Sequence, residues 1–274
     1  MIGVRTFVCV GGGGVGKTTT SAALALALAR QGHRTLVVTI DPARRLADAL
    51  GVPIGPEPHV VSVDPEAGDR LSALMPNPEA STELFMRVLF EDSPGAIERL
   101  EKNSLYKALI DALAGMHEVV CMALIQRAAA QSHYQAIVID TAPSRHAIDF
   151  VGYPARLLTL LEGTALTFLA NMASPGASAG GPLAWARRGV ETALGKVLGH
   201  KMITDLSGIF TEMAGARARF SSFASGCDAV LSGPSTRYLL VTAPTGSGIA
   251  DARYLESRLR KLDLRAHAVL LNRA

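Results

Sequence analysis

The sequence predicts an α/β protein with a doubly wound, mostly parallel sheet and a helical insertion. Short apolar runs alternate with helix-like stretches along the chain, which is typical of parallel sheets covered by helices. One long segment in the second half contains no strand-like run, which indicates helices inserted into the sheet domain. The strand-like runs are TFVCV, TLVVTI, QAIVID, YLLVTA and HAVLLN.

The chain divides into three parts. We expect residues 1–154 to form the core, with helices between residues 65 and 133 packed on the sheet. Residues 155–225 are expected to form the helical insertion, interrupted by a mobile loop rich in Gly, Ala, Ser and Pro at 174–182. Residues 226–274 return to the core sheet. A doubly wound domain usually continues with a helix after such a strand, so we expect the C-terminal end to be incomplete.

The composition describes a folded protein without a strong charge. Hydrophobic residues make up 49% of the chain, charged residues 19%, and the net charge is +3. No run of five or more Lys or Arg occurs, so no nucleic-acid partner is expected. The cysteines Cys9, Cys121 and Cys227 are isolated, which predicts neither disulfides nor a stable zinc site. Together with the absence of a secretory signal at the N-terminus, this favours the cytoplasm.

The first strand-like run leads directly into a glycine-rich loop. GGGGVGKTT, from Gly11 to Thr19, has the spacing G-x-x-x-x-G-K-[ST] of a P-loop and precedes a helix-like stretch. It predicts a P-loop NTPase fold that binds ATP; the alternative is a glycine-rich turn that happens to precede Lys-Thr. Lys17 should reach the β and γ phosphates, and the Thr18 hydroxyl should ligate Mg²⁺. The other predicted nucleotide-binding residues of the loop are Gly11, Gly12, Gly13, Gly14, Val15, Gly16 and Thr19.

Two further strand-like runs deliver an aspartate to the predicted carboxyl edge of the sheet, where ligands of open α/β sheets bind. QAIVID ends in Asp140, which is expected to hold Mg²⁺ through a water molecule. TLVVTI is followed by Asp41. That carboxylate either orients the attacking water at the γ-phosphate or caps the following helix, and the residues alone leave both roles open.

Three motifs together resemble the arsenite-pump and tail-anchored-protein-targeting ATPases, which belong to the deviant-Walker subgroup of P-loop proteins. They are GGGGVGKTT, DPARRLADA from Asp41 to Ala49, and DTAPSRH from Asp140 to His146. The resemblance implies Mg²⁺-dependent ATP hydrolysis, in which Asp41 positions the attacking water and Asn272 reads adenine from a strand end. It also implies two switch segments. Their residues are Asp41, Pro42, Arg44, Arg45, Asp140, Thr141, Pro143, Arg145 and His146.

The same resemblance implies a dimer of two nucleotide-binding halves, formed with a second copy or with a paralogous ATPase. In the targeting members the helical insertion makes an apolar groove for a client helix. A Leu-rich stripe between residues 157 and 172 fits such a groove, although core or dimer packing is the commoner role of such a stripe. The expected partners therefore include an apolar client or a membrane-associated protein, and the expected location is the cytoplasm or the periphery of a membrane.

The sequence departs from the family pattern at several points. Gly12 stands where the subgroup has a signature lysine that reaches across the dimer; Arg44, Arg45 or Arg145 could supply substitute charge, or could be ordinary surface residues. The zinc-binding CxxC of the targeting dimers and the cysteine triad that senses arsenite are both missing. Two other functions stay open: a membrane-associated positioning ATPase of the septum-site or partitioning type, and a nucleotide-binding scaffold that does not hydrolyse ATP.

Overall fold

The computed structural model describes residues 4–41, 43–108, 110, 117–131, 133–142, 148–152 and 200–272. Its strands are β1 (Arg5–Gly11), β2 (Thr35–Thr39), β3 (His59–Val60), β4 (Leu71–Leu74), β5 (Ala136–Asp140), β6 (Thr236–Thr242) and β7 (Ala266–Leu271). Its helices are α1 (Lys17–Arg30), α2 (Arg45–Leu50), α3 (Pro78–Leu89), α4 (Ala96–Glu101), α5 (His117–Ala130), α6 (His200–Gly215), α7 (Arg217–Ser232) and α8 (Gly246–Lys261). A short 3₁₀ helix follows β5 at Asp149–Gly152.

The strands form one sheet in the order β3-β4-β2-β5-β1-β6-β7. Neighbouring strands are parallel throughout, except that β3 runs antiparallel to β4. The predicted fold class, a doubly wound and mostly parallel sheet of the P-loop NTPase type, is therefore confirmed. Because β1, β2 and β5 are adjacent and parallel, their carboxyl ends meet at one edge. Asp140 lies opposite Cys9 of β1 and Thr39 of β2 in the strand registers.

The sheet contains two strands beyond the five predicted runs. β3 has only two residues, and β4 has the sequence LSAL with all four residues buried. The prediction of helices alone between residues 65 and 133 was wrong at β4. Leu, Ala and Ser fit a helix as well as a strand, and four residues are too few to show a period. Residues 71–74 form a strand because they pair with β2.

Helix α1 packs on the sheet through a face of small side chains. Ala22, Ala25 and Ala29 recur at the three- and four-residue spacing of one helix face and are buried. They share a core cluster with Cys9 of β1 and Val37 of β2. Small side chains let the helix backbone approach the strands closely, which fixes the start of α1 relative to the end of β1.

All three cysteines lie in the interior. Cys9 in β1, Cys121 in α5 and Cys227 in α7 are each no more than 1% exposed. Burial raises the pKa of each thiol, that of Cys9 to about 11.

The described residues fall into two compact units. One contains residues 4–82, 117–152 and 225–272 and holds the whole sheet; the other contains residues 83–110 and 200–224 and is helical. Within the helical unit, Arg99 pairs with Glu212 at 2.6 Å, and Phe85, Phe220 and Phe223 pack edge to face.

The division into units differs from the sequence analysis in one respect, because residues 83–110 group with 200–224 instead of with the sheet. The predicted loop 174–182 lies outside the described residues, and the boundaries near 154 and 225 stay a prediction. Among the residues that the structure describes, no helix is both long and apolar enough to cross a membrane.

Candidate functional site

The loop between β1 and α1 has the backbone conformation that its glycines allow. Gly14 has φ of 72° and Gly16 has φ of 84°, both in the left-handed region that favours glycine. Gly16 is the N-cap residue of α1, and its carbonyl accepts the N–H of Thr20 at 2.9 Å. The free N–H groups of this first helical turn, together with the helix dipole, form an environment suited to phosphate.

Lys17, at the start of α1, is only 5% exposed. Burial lowers the pKa of its ammonium group, and the positive charge of Arg45 adds to this effect. The negative charges of Asp140 and Asp41 oppose it. The negative charges around Lys17 do not fully offset the cost of burying its ammonium group. An anion bound at this helix N-terminus would stabilise that positive charge.

Asp140, at the end of β5, is completely buried and accepts hydrogen bonds from three hydroxyl groups. Thr18 Oγ1 donates to Oδ2 at 2.8 Å, Thr39 Oγ1 to the same oxygen at 3.3 Å, and Ser21 Oγ to Oδ1 at 3.3 Å. Burial raises the pKa of the carboxyl group, although Lys17 and the three hydroxyls favour its charged form. The structure thus brings Thr18 and Asp140, the two predicted magnesium residues, into direct contact.

Asp41 follows β2 at the same edge and is 8% exposed. Its N–H donates to Thr39 Oγ1 at 3.1 Å, and its Oδ1 accepts the N–H of Ala43 at 3.0 Å. Its Oδ2 forms an ion pair with Arg45 Nη1 at 2.7 Å. The N-cap residue of α2 is Arg44, so Asp41 closes a turn ahead of that helix and does not cap it.

Thr39 connects these two carboxylates. Its hydroxyl accepts from the Asp41 N–H and lies within hydrogen-bonding distance of Asp140 Oδ2. Sequence analysis missed this residue and also Ser21, whose hydroxyl contacts Asp140. The available signal was weak: Thr39 is a polar residue inside an apolar strand, two positions before Asp41, and Ser21 follows Thr18 by one turn of α1.

A sequence profile for anion-transporting ATPases matches residues 4–181 of this chain, a range that includes the loop, Asp41 and Asp140. The chain belongs to the anion-transporting ATPase family. The sheet order, the P-loop and the paired aspartates described above are thus features of a member of that family.

Curated relatives agree with this assignment. An ATPase GET3 from Ajellomyces dermatitidis is 31% identical over 152 residues, which cover 55% of this chain and 43% of the relative. An ATPase GET3 from Mycosarcoma maydis is 36% identical over 149 residues, with 54% and 42% coverage. An ATPase ASNA1 homolog 2 from Paramecium tetraurelia is 31% identical over 149 residues, with 54% and 44% coverage. The matched region thus spans less than half the length of these relatives.

The remaining predicted residues of this anion-transporting ATPase family member fall into three groups. Thr141 is anchored to β1, because its Oγ1 donates to the Cys9 carbonyl at 2.8 Å. Arg44 is exposed at the start of α2. Pro42, Pro143, Arg145 and His146 lie outside the described residues.

Asn272 follows β7 and reaches the phosphate loop. Its Nδ2 donates to the carbonyl of Val15 at 2.9 Å, and a Cβ added at Gly16 would meet the same nitrogen at 2.0 Å. The adenine-reading role that the resemblance implies for Asn272 stays a prediction. In this structure its amide supports the loop.

Gly12 lies against a carboxylate that sequence analysis did not connect with it. A Cβ at Gly12 would lie 2.8 Å from Oδ2 of Asp251, a residue of α8. The two residues are far apart in the sequence, and only the return of the chain to the sheet through β6 and α8 brings them together. A side chain at position 12 would therefore require Asp251 to move.

The donor set fits Mg²⁺ bound with a nucleotide better than a cation held by protein groups alone. The Thr18 hydroxyl and the Asp140 carboxylate provide hard oxygen ligands within 2.8 Å of each other. Across the described part of the chain, no group of three or more His, Cys, Asp or Glu could hold a metal ion. Mg²⁺ commonly binds through one or two protein oxygens, with water and substrate phosphates completing its shell.

Proposed function

We propose that this chain hydrolyses ATP with Mg²⁺ and uses the nucleotide cycle as a conformational switch in a dimer. The observation that carries the proposal is the convergence of Lys17, Thr18, Asp41 and Asp140 at the loop between β1 and α1. Membership of a family of ATPases supports it.

In this proposal, different residues of the chain bind the phosphates, orient the attacking water and hold the metal ion. The loop N–H groups and Lys17 bind the β and γ phosphates, and the N-terminus of α1 favours their negative charge. Asp41 accepts a hydrogen bond from the attacking water and orients it toward the γ-phosphorus. Asp140 and Thr18 would hold Mg²⁺. When bound, the ion neutralises charge on the β and γ phosphate oxygens.

The switch follows from how the two aspartate segments are attached. Asp41 and Thr141 are both tied by hydrogen bonds at the strand ends, to Thr39 and to the Cys9 carbonyl. Contacts of the γ-phosphate with the site around Asp41 would then form or be lost with the nucleotide state, while the strand ends stay fixed. The resemblance to targeting ATPases supports a dimeric partner, itself or a paralogue, and an apolar client or membrane-associated protein. It also supports a location in the cytoplasm or at a membrane periphery.

The first experiment measures ATP turnover with Mg²⁺ for the wild type and for the Lys17→Ala and Asp41→Asn variants, while light scattering follows the oligomeric state. Because Asp41 acts on the attacking water, we expect Asp41→Asn to lower turnover by at least about 100-fold while ATP still binds. Lys17→Ala should abolish binding. ATP should also promote dimerisation of the wild type.

Tight ATP binding by the wild type without turnover would overturn the proposal that this chain hydrolyses ATP. It would favour instead a nucleotide-dependent scaffold, a role that the ion pair of Asp41 with Arg45 would suit.

A further inference from the structure

The phosphate loop has little positive charge of its own. Lys17 is the only cationic side chain between Gly11 and Thr19, and a nucleoside triphosphate carries more negative charge than one lysine balances. At Gly12 the nearest side-chain group is the Asp251 carboxylate, so among the residues that the structure describes no cationic side chain lies against that part of the loop. A second cation close to the site would improve the charge balance of the bound nucleotide.

Arg45 is located where such a cation is needed. It is the first residue of α2, and its Nη1 lies 2.7 Å from Asp41 Oδ2. Its side chain is 57% exposed, so solvent and ligands can reach it. Its positive charge is one of the causes that lower the pKa of Lys17, after burial.

The ion pair also affects Asp41. Oδ1 of Asp41 is engaged by the Ala43 N–H and Oδ2 by Arg45, so both carboxylate oxygens have partners. A guanidinium group binds carboxylate and phosphate with the same forked geometry. An incoming γ-phosphate can therefore compete with Asp41 for Arg45.

We propose that Arg45 is a catalytic residue that moves from Asp41 to the γ-phosphate when a nucleoside triphosphate binds. The exchange supplies the second cation from within the same chain and frees Asp41 Oδ2 for the attacking water. This inference rests on the proposed function, since it concerns the same phosphate site.

The exchange suits the hydrolysis step. A bond forms between the water oxygen and the γ-phosphorus, and the bond from that phosphorus to the β–γ bridging oxygen breaks. The electron pair of the broken bond leaves with ADP, and the water proton passes through Asp41 to phosphate or solvent. Arg45 stabilises the charge on the γ-phosphoryl oxygens during this transfer.

The other two candidates differ from Arg45. Arg44 is exposed and forms no ion pair among the residues that the structure describes, and Arg145 lies outside them. Of the two arginines that the structure describes in these motifs, the geometry therefore favours Arg45 over Arg44.

The test compares wild type, Arg45→Gln and Arg45→Lys, with Arg260→Gln as the matched control. Arg260 forms an ion pair of the same i,i+4 kind with Glu256 on α8, at the same distance of 2.7 Å. For each variant, equilibrium binding gives the affinity for ADP and the affinity for a non-hydrolysable ATP analogue with an imido group between the β and γ phosphorus atoms. A separate assay gives the ATP turnover number.

We expect Arg45→Gln to leave ADP affinity within about twofold of wild type, because ADP lacks the γ-phosphate. Affinity for the analogue should fall at least about tenfold and turnover about 10²- to 10³-fold, the usual loss when one charge-stabilising group is removed. Arg45→Lys should recover part of both losses, and Arg260→Gln should match wild type in both.

If Arg45→Gln prefers the analogue over ADP as strongly as the wild type does, the proposal is overturned. A higher ATP turnover in Arg45→Gln than in wild type would also overturn it, because Arg45 would then only inhibit Asp41. Both results leave the proposed function standing. That function would fail separately if the wild type showed no nucleotide binding that depends on Lys17. Melting curves of each variant, compared with Arg260→Gln, show whether a loss reflects unfolding.

Discussion

At the scale of single residues, the site contains a charge that the fold tolerates at a cost. Asp140 is fully buried, and the effect of burial on its pKa outweighs the help of Lys17 and three hydroxyl donors. Burial therefore penalises the carboxylate, and a bound cation would favour this charged form. Function and stability therefore conflict at this position, as they often do in active sites.

The variant Asp140→Asn should separate the contribution of Asp140 to function from its effect on stability. The amide oxygen can accept from Thr18 and Thr39. The amide nitrogen can donate to Ser21 Oγ, because the Ser21 hydroxyl can donate to the Lys17 carbonyl at 3.0 Å in place of Asp140 Oδ1. We expect the free energy of unfolding without ligand at pH 7 to rise by on the order of 1 kcal/mol, because burial penalises the carboxylate by more than Lys17 and the three hydroxyls favour it, and an amide avoids that penalty. Mg²⁺-dependent turnover should be lost. Thermal melting and a turnover assay measure the two effects.

A suitable control is Asp64→Asn. Asp64 is half-buried, and its hydrogen bond with Arg30 lowers the pKa of its carboxyl group. Because this carboxylate is favoured in its charged form, removing the charge should not raise the melting temperature. A lower melting temperature for Asp140→Asn than for wild type would contradict the prediction.

His117 gives the protein a pH-dependent stability. Its Nδ1 is buried without a hydrogen-bond partner among the described residues, and burial lowers its pKa. The nearby Ile40 backbone and the charges of Glu118 and Asp41 only partly oppose this effect. As pH falls below the ordinary value of about 6.5, the unfolded chain takes up a proton before the folded chain does. Stability is therefore lost as the solution becomes acidic.

The variant His117→Gln should lose part of this acid sensitivity. Denaturant unfolding at pH 7.5, 6.5 and 5.5 should show a smaller loss of stability over the series than in wild type, because glutamine does not titrate. The values at pH 7.5 serve as the reference for each protein. Equal slopes in the two proteins would show that His117 does not supply the dependence.

At the scale of elements, the end of β1 lies close against the backbone of β6. Gly11 pairs with Val241 of β6, and a Cβ at Gly11 would lie 2.3 Å from the Val241 carbonyl oxygen. The contact is with backbone, which cannot rotate away as a side chain can. A glycine is therefore needed here for packing as well as for binding phosphate.

Gly11→Ala should destabilise the protein by about 1–3 kcal/mol, the usual cost of overpacking. Gly13→Ala is the matched control for stability, because a Cβ there meets nothing within 4 Å and its φ is not positive. Chemical denaturation of both variants measures the difference. Equal stabilities would mean that β1 and β6 separate more easily than their register suggests.

The elements also show what sequence patterns can predict. β1, β2, β5, β6 and β7 were each recognisable because apolar, β-branched runs of five or more residues precede turn residues. β4 has four residues and no β-branched side chain, and β3 has two residues, so their pairing partners decide their structure. Local composition does not contain that information.

At the scale of the whole molecule, the P-loop and the two aspartates were predictable because each follows a strand. Their mutual contacts were not, since Thr39 meets Asp140 only through the pairing of β2 with β5. Asp251 reaches Gly12 because α8 returns beside the loop, and Asn272 reaches Val15 from the end of β7. These contacts join parts of the chain more than a hundred residues apart, which no local motif encodes.

Because all three cysteines lie in the interior, we expect the native protein to be unreactive toward thiol reagents. Thiolate is the reactive form, and at neutral pH these three groups are protonated and shielded from solvent. A single cysteine introduced on the surface would accept a fluorophore or spin label without prior removal of the natural ones. The natural thiols would become reactive only when the sheet unit opens, so their rate of modification can report that opening directly in unaltered protein.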